Sequence, residues 1–210
     1  MSLVKYRISK PKYTKKKSEK KFTSKRSINT MLSRLPETKY YDVYHTTTIT
    51  QNGALDLLTG MTTLGTGEGQ RVGSKVFVKY IQVNGLIMRN ASSTIDNLRI
   101  IIFMDKQGMN TPAVTDIMEP AYLGSGFSPV GRINEYRIPR YKILYDKLTH
   151  VSTQKDGFNF KANLRINMPV YYVSTSTFKN QVYILFLGDN GNVLTLPYCN
   201  YTARVSYTDQ

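Results

Sequence analysis

Two histidines, one cysteine and one glycine-rich run are the places where this 210-residue chain could hold a reactive centre. His45 and His150 lie far apart in sequence, and each reads as a hydrogen-bonded structural histidine. A metal centre on β-strands needs several His and a carboxylate drawn together. Cys199 has no second cysteine, which excludes a disulfide framework and a multi-cysteine zinc site. Its neighbours Tyr198 and Tyr201 suggest a small buried thiol on a strand. The run "GTGEGQRVG", Gly65–Gly73, lacks the Lys-Ser/Thr ending of a phosphate loop and leads into no helical pattern. It reads as a flexible loop before a strand. No serine elbow occurs, and the acidic residues single out no carboxylate pair. The expectation is a protein that is not an enzyme and carries no cofactor or metal.

What the residue types do support is anion binding. The stretch "KYRISKPKYTKKKSEKKFTSKR" spans Lys5 to Arg26. Residues 1–34 hold 12 basic side chains and one acid, Glu19, a formal +11, against +4 for the remaining 176 residues. Such asymmetry points to a polyanionic partner. The candidate binding residues are Lys5, Arg7, Lys10, Lys12, Lys15, Lys16, Lys17, Lys20, Lys21, Lys25 and Arg26. Clustered cations of this kind neutralise phosphates and release counterions. Tyr6, Tyr13 and Phe22 are available to stack on unpaired bases, though nothing in their spacing requires it. Between Ser9 and Ser27 the only strongly apolar side chain is Phe22, so the segment is expected to be disordered when free. It lacks the apolar core of a secretory signal and the apolar face of a membrane-surface helix. No run of about 18 apolar residues appears, so no stable membrane insertion is expected. The bland readings of the arm are a solubilising tail or a nuclear-import signal alone. The domains expected are a basic arm, residues 1–39, and a folded body, residues 40–210.

The body must be built from strands. Runs rich in Val, Ile, Thr, Tyr and Phe recur between Gly, Asn, Pro and Ser. They are Tyr40–Thr50, Lys75–Arg89, Asn97–Asp105, Tyr136–Leu148, Phe160–Tyr172, Gln181–Asp189 and Tyr201–Asp209, with a weaker one at Ala54–Gly60. In the second run Phe77, Ile81, Val83 and Ile87 are expected on one face. Asn97–Asp105 is apolar on both faces, which suits a central strand covered on both sides. Pro139 belongs at a strand start or bulge. Phe160–Tyr172 alternates: Ala162, Leu164, Ile166, Met168 and Val170 point one way, Asn163, Arg165 and Asn167 the other. One short helix is expected at Thr115–Ala121. Without helices to cover parallel crossovers, the sheets should be antiparallel. The long gaps at 51–74 and 106–132 suit connections that cross between two sheets. The expected fold is all-β: a single eight-stranded antiparallel jelly roll of two four-stranded sheets behind a basic arm.

The segments "GQRVGSKVFVKYIQVNGLI", "RIIIFMDKQ", "YKILYDK", "NLRINMPVYY", "YILFLGDNG" and the terminal "ARVSYTD" together resemble capsid proteins of circular Rep-encoding single-stranded DNA (CRESS DNA) viruses, of circovirus or nanovirus type. The resemblance covers about Gly65 to Asp209 plus the basic arm. It implies a jelly roll assembled as sixty copies in a small icosahedral (T=1) shell, with strands beginning near Tyr41, Ala54 or Lys75, Asn97, Tyr141, Phe160, Val182 and Tyr201. It further implies an arm facing a packaged circular single-stranded DNA genome, assembly in the host nucleus, and identical subunits as partners. A host receptor and import factors are further partners that it leaves open. The arm departs from many relatives in being mostly lysine, a point-charge binder without arginine's fork. The loop Tyr122–Tyr136 is a candidate neighbour contact. Two alternatives remain on the residues alone. One is the coat protein of a small RNA virus or RNA satellite, since charge does not distinguish the sugars. The other is a nucleic-acid-binding β-sandwich that never assembles.

Overall fold

The computed structural model describes residues 37–108, 110–120, 126–172, 178–192 and 194–209. All eleven arm residues from Lys5 to Arg26 lie outside them, as does most of the arm domain. The described body is all-β. Its strands are β1 (Lys39–Thr48), β2 (Ala54–Leu57), β3 (Lys75–Met88), β4 (Ile95–Asp105), β5 (Tyr141–Ser152), β6 (Gly157–Tyr172), β7 (Phe178–Lys179), β8 (Gln181–Gly188) and β9 (Tyr198–Asp209). Every strand pair is antiparallel. One sheet runs β1-β9-β3-β6 with the two-residue β7 at its edge, and the other runs β2-β8-β4-β5. Eight principal strands divided between two four-stranded sheets make the jelly roll. Both Ala54 and Lys75 begin strands.

Side-chain alternation sets which face each strand buries. On β6, Phe160, Ala162, Ile166 and Val170 are buried, Leu164 and Met168 pack against the same core, and Lys161, Asn163, Arg165 and Asn167 are exposed. Across the sandwich they meet Leu98, Ile100, Ile102 and Met104 of β4 and Val182, Ile184 and Phe186 of β8. The intervening residues of those strands, Ile101, Phe103, Tyr183, Leu185 and Leu187, form a second core on the far side of the small sheet. Ile117, Met118, Phe127 and Ile133 cover it. β4 and β8 are therefore central and apolar on both faces, as expected for Asn97–Asp105.

Four local expectations change. Phe77 is out of phase with Ile81, because the β3 register shifts between Val78 and Tyr80 against both neighbours. The extra residue of such a bulge moves one side chain to the other face, so Val76 and Val78 are the buried ones. β5 starts at Tyr141, not Tyr136. Residues Glu135–Arg137 form a 3-10 turn, followed by local bonds such as Arg140 N to Arg137 O at 3.0 Å, with Pro139 in the turn. The helix is a single turn, Val114–Ile117, in which Asp116 accepts a hydrogen bond from the Ala113 N–H at 3.1 Å; Met118 then bridges to Ile133. The gap after β2 crosses between sheets, but the one after β4 returns to a neighbour in the same sheet. Its described part is not a free loop. Phe127 and Ile133 pack inward, while Val130 and Tyr136 are exposed.

Candidate nucleic-acid interface

Several cations of the body are already engaged. Lys39 pairs with Asp209 at 2.7 Å, Arg89 with Asp156 at 2.8 Å, and Arg99 grips Asp146 through two bonds of 2.7 Å. Arg140 holds the fully buried Asp105 at 3.0 and 2.7 Å. Arg204 of β9 holds Asp42 of β1 at 2.8 and 2.7 Å, and this contact keeps the Asp42 carboxyl below its usual range. Arg71, in the glycine-rich run, turns inward. It lies 4.4 Å over the Tyr172 ring and donates to Met61 O at 3.0 Å and to Gly73 O. The run is thus pinned by a buried guanidinium, which composition alone did not reveal.

Of the reactive candidates, His45 and Cys199 take structural roles. His45 Nδ1 lies 2.7 Å from Asp56 Oδ2, and Tyr201 donates its hydroxyl to the same oxygen at 3.1 Å. These contacts tie β1 and β9 to β2 across one edge of the sandwich. His150 is exposed on β5. Cys199 is fully buried, and burial pushes its thiol up to about 12, with Asp56 adding to the effect. Among the described residues no cluster of three or more His, Cys, Asp or Glu could hold a metal ion.

What remains is a polar wall. Register places the outward residues of the large sheet in rows. Tyr40, Ser206, Tyr80 and Arg165 form one, and Asp42, Arg204, Gln82 and Asn163 the next. Tyr44, Thr202, Asn84 and Lys161 follow, then Thr46, Asn200, Leu86 and Asn159. Tyr40, Tyr44 and Tyr80 are exposed although aromatic. The last two rows line a depression of about 780 Å³ centred on Gly85. A second concavity, about 690 Å³, lies over the small sheet, with an apolar floor including Ile117, Ile133 and Ile143 and cations such as Arg132 and Lys142 at its sides. Alternation had marked Asn163, Arg165 and Asn167 as outward. It gave no sign that Tyr44 and Asn200 would join them, since partners more than 150 residues apart in sequence carry no local signal.

Solved structures similar to this chain include one of Desmodium yellow mottle tymovirus, at 10% identity over 83% of this chain and 89% of that one, with a TM-score of 0.43. Another, from the T13 IBDV viral particle, has 7% identity, 82% and 36% coverage, and a TM-score of 0.27. No curated protein matches. The model of the satellite tobacco necrosis virus coat protein family matches residues 10–210, arm and body together. That match overturns the resemblance to capsid proteins of CRESS DNA viruses, and with it the preference for single-stranded DNA and nuclear assembly. The motifs behind the resemblance lie largely on strands β3, β4, β5, β6, β8 and β9. Alternation of apolar and polar residues there is what any sandwich strand requires, so such runs report the fold and not the lineage. The chain belongs to the satellite tobacco necrosis virus coat protein family.

Proposed function

We propose that this chain is the coat protein of a small RNA virus or RNA satellite, a structural protein of the virion and not an enzyme. Identical copies close into an icosahedral shell around single-stranded RNA, held by the lysine-rich arm. Icosahedral symmetry gives sixty equivalent positions, and one jelly roll per chain suits one chain per position. The observation that carries the reading is the family match over residues 10–210, in which most of the basic arm and the β1-β9-β3-β6 and β2-β8-β4-β5 sheets fall inside one matched span.

The test is to purify particles, image them by negative stain, and digest the extracted nucleic acid. Closed particles of uniform size whose contents are destroyed by ribonuclease and spared by deoxyribonuclease are expected. Monomeric protein, or contents destroyed by deoxyribonuclease, would overturn the reading.

A further inference from the structure

The depression over Gly85 has the chemistry of a base-binding site. Its wall carries Tyr44, 74% exposed, on β1, which is the edge strand of its sheet among the described residues. The side chains of Asn84, Asn159 and Lys161 make no hydrogen bond to any described residue. Asn200 accepts one from Thr46 at 2.7 Å, which leaves its amide N–H₂ unused. A carboxamide presents a donor and an acceptor side by side, as the edge of an unpaired base does. Neighbouring strands stand about 4.7–4.9 Å apart and same-face residues about 6.8 Å apart, so two rows across four strands give a patch the size of a base and its flanking sugar. No carboxylate lines the depression. Asp42, in the adjacent outward row, is engaged by Arg204, and Asp56, which contacts the lining residues His45 and Tyr201, is engaged by both, while Lys161 and Arg165 leave the β6 side positive. β1, which carries Tyr44, is also the strand that directly follows the arm in sequence.

We propose that this face binds unpaired bases of the packaged RNA. One base stacks on Tyr44 and hydrogen-bonds to the amides of Asn84, Asn159 and Asn200, while Lys161 meets an adjacent phosphate. The inference rests on the RNA coat reading and adds a base preference that lysine-rich charge alone does not supply.

The experiment measures binding of the full-length subunit to oligo(A), oligo(C) and oligo(U) of equal length, across a salt titration. The wild type should rank the three, and the ranking should persist at high salt. Tyr44→Ala should weaken the preferred oligonucleotide about tenfold and flatten the ranking with the salt slope unchanged, in line with the loss of one stacked base. Tyr44→Phe should restore it. Neutralising Lys15, Lys16 and Lys17 should change the slope and leave the ranking. Thermal unfolding of each variant controls for the fold. No binding to any RNA would overturn the coat reading itself. RNA binding with no ranking, or a ranking that Tyr44→Ala leaves intact, would overturn only this proposal. So would a Tyr44→Ala variant that fails to form shells while binding oligonucleotides normally, since the face would then be a subunit contact.

Discussion

A side chain at Gly85 would collide with its own core. A Cβ there would lie 2.2 Å from Phe160 Cε1 and 3.0 Å from Tyr201 Cβ. Gly85 stands opposite both residues in register, so the Phe160 ring occupies the space that an inward side chain on β3 would fill. Gly85→Ala should therefore cost about 1–3 kcal/mol by overpacking. The measurement is the urea midpoint of the subunit, and an unchanged midpoint would show that Phe160 moves aside freely. Cys199 gives a second test at this scale. Its folded thiol, pushed up to about 12, lies above the roughly 8.5 of an unfolded cysteine. A group raised on folding contributes stability that is present below the unfolded value and lost as pH rises past it. The urea midpoint should accordingly fall above about pH 8.5. Native protein should also resist alkylation at pH 8 and react only once denaturant opens the sandwich. Rapid labelling of the native subunit would mean that the β9 core is looser than its packing implies.

Strands carry most of what the sequence made legible, and they mark where it stopped. β6 alternates over its whole length, so its two faces could be assigned from residue order alone. Ile166→Asp should unfold the subunit, because an unpaired carboxylate would be buried where the residue is now only 7% exposed. Arg165→Ala, on the opposite face, should leave the thermal midpoint nearly unchanged. Equal damage from both would contradict the alternation. β3 shows the limit of such reasoning, since a single bulged position near Lys79 reverses the phase of everything before it. The segment before β5 shows another: Glu135–Arg137 form a 3-10 turn, and its apolar Tyr136 and the following Ile138 are exposed instead of pairing in a ladder. Arg140 closes that turn by holding Asp105 at the end of β4. Removing it strands a buried carboxylate with only the Gln107 and Gly108 N–H groups as partners. Arg140→Ala should cost roughly 3 kcal/mol, read as a lower urea midpoint, whereas a neutral outcome would mean that water reaches Asp105. The candidate RNA face was the least legible feature. Its residues come from β1, β3, β6 and β9, and only the folded register brings Tyr44, Thr202, Asn84 and Lys161 into one row.

At the scale of the whole molecule the decisive quantity is the split of charge, +11 in residues 1–34 against +4 in the rest. The body is close to charge balance and holds six of its cations in ion pairs, so copies of it would meet without strong self-repulsion, and neutralisation would fall to the arm. If sixty copies close into the proposed shell, their arms would bring about 660 positive charges to it, enough to neutralise about 660 nucleotides. A longer genome leaves negative charge for the polar sheet face, polyamines or metal ions to offset. Deleting residues 1–34 should leave the thermal midpoint of the body nearly unchanged, because the segment lacks the apolar periodicity needed to join a core, and it should abolish RNA packaging. Binding by the intact subunit should be steeply salt-dependent. With about eight arm cations on phosphate, log K should fall against log salt with a slope near −6 for a single strand, and neutralising Lys15, Lys16 and Lys17 together should make that slope shallower by about 2. The arm's contribution should be equal for every base composition, since lysine offers a point charge with no fork to match a base edge. A salt titration on two single-stranded RNAs of unrelated sequence measures both quantities. A slope near zero in the wild type would remove the electrostatic account of packaging, because a polyanion held by lysines must release counterions as it binds.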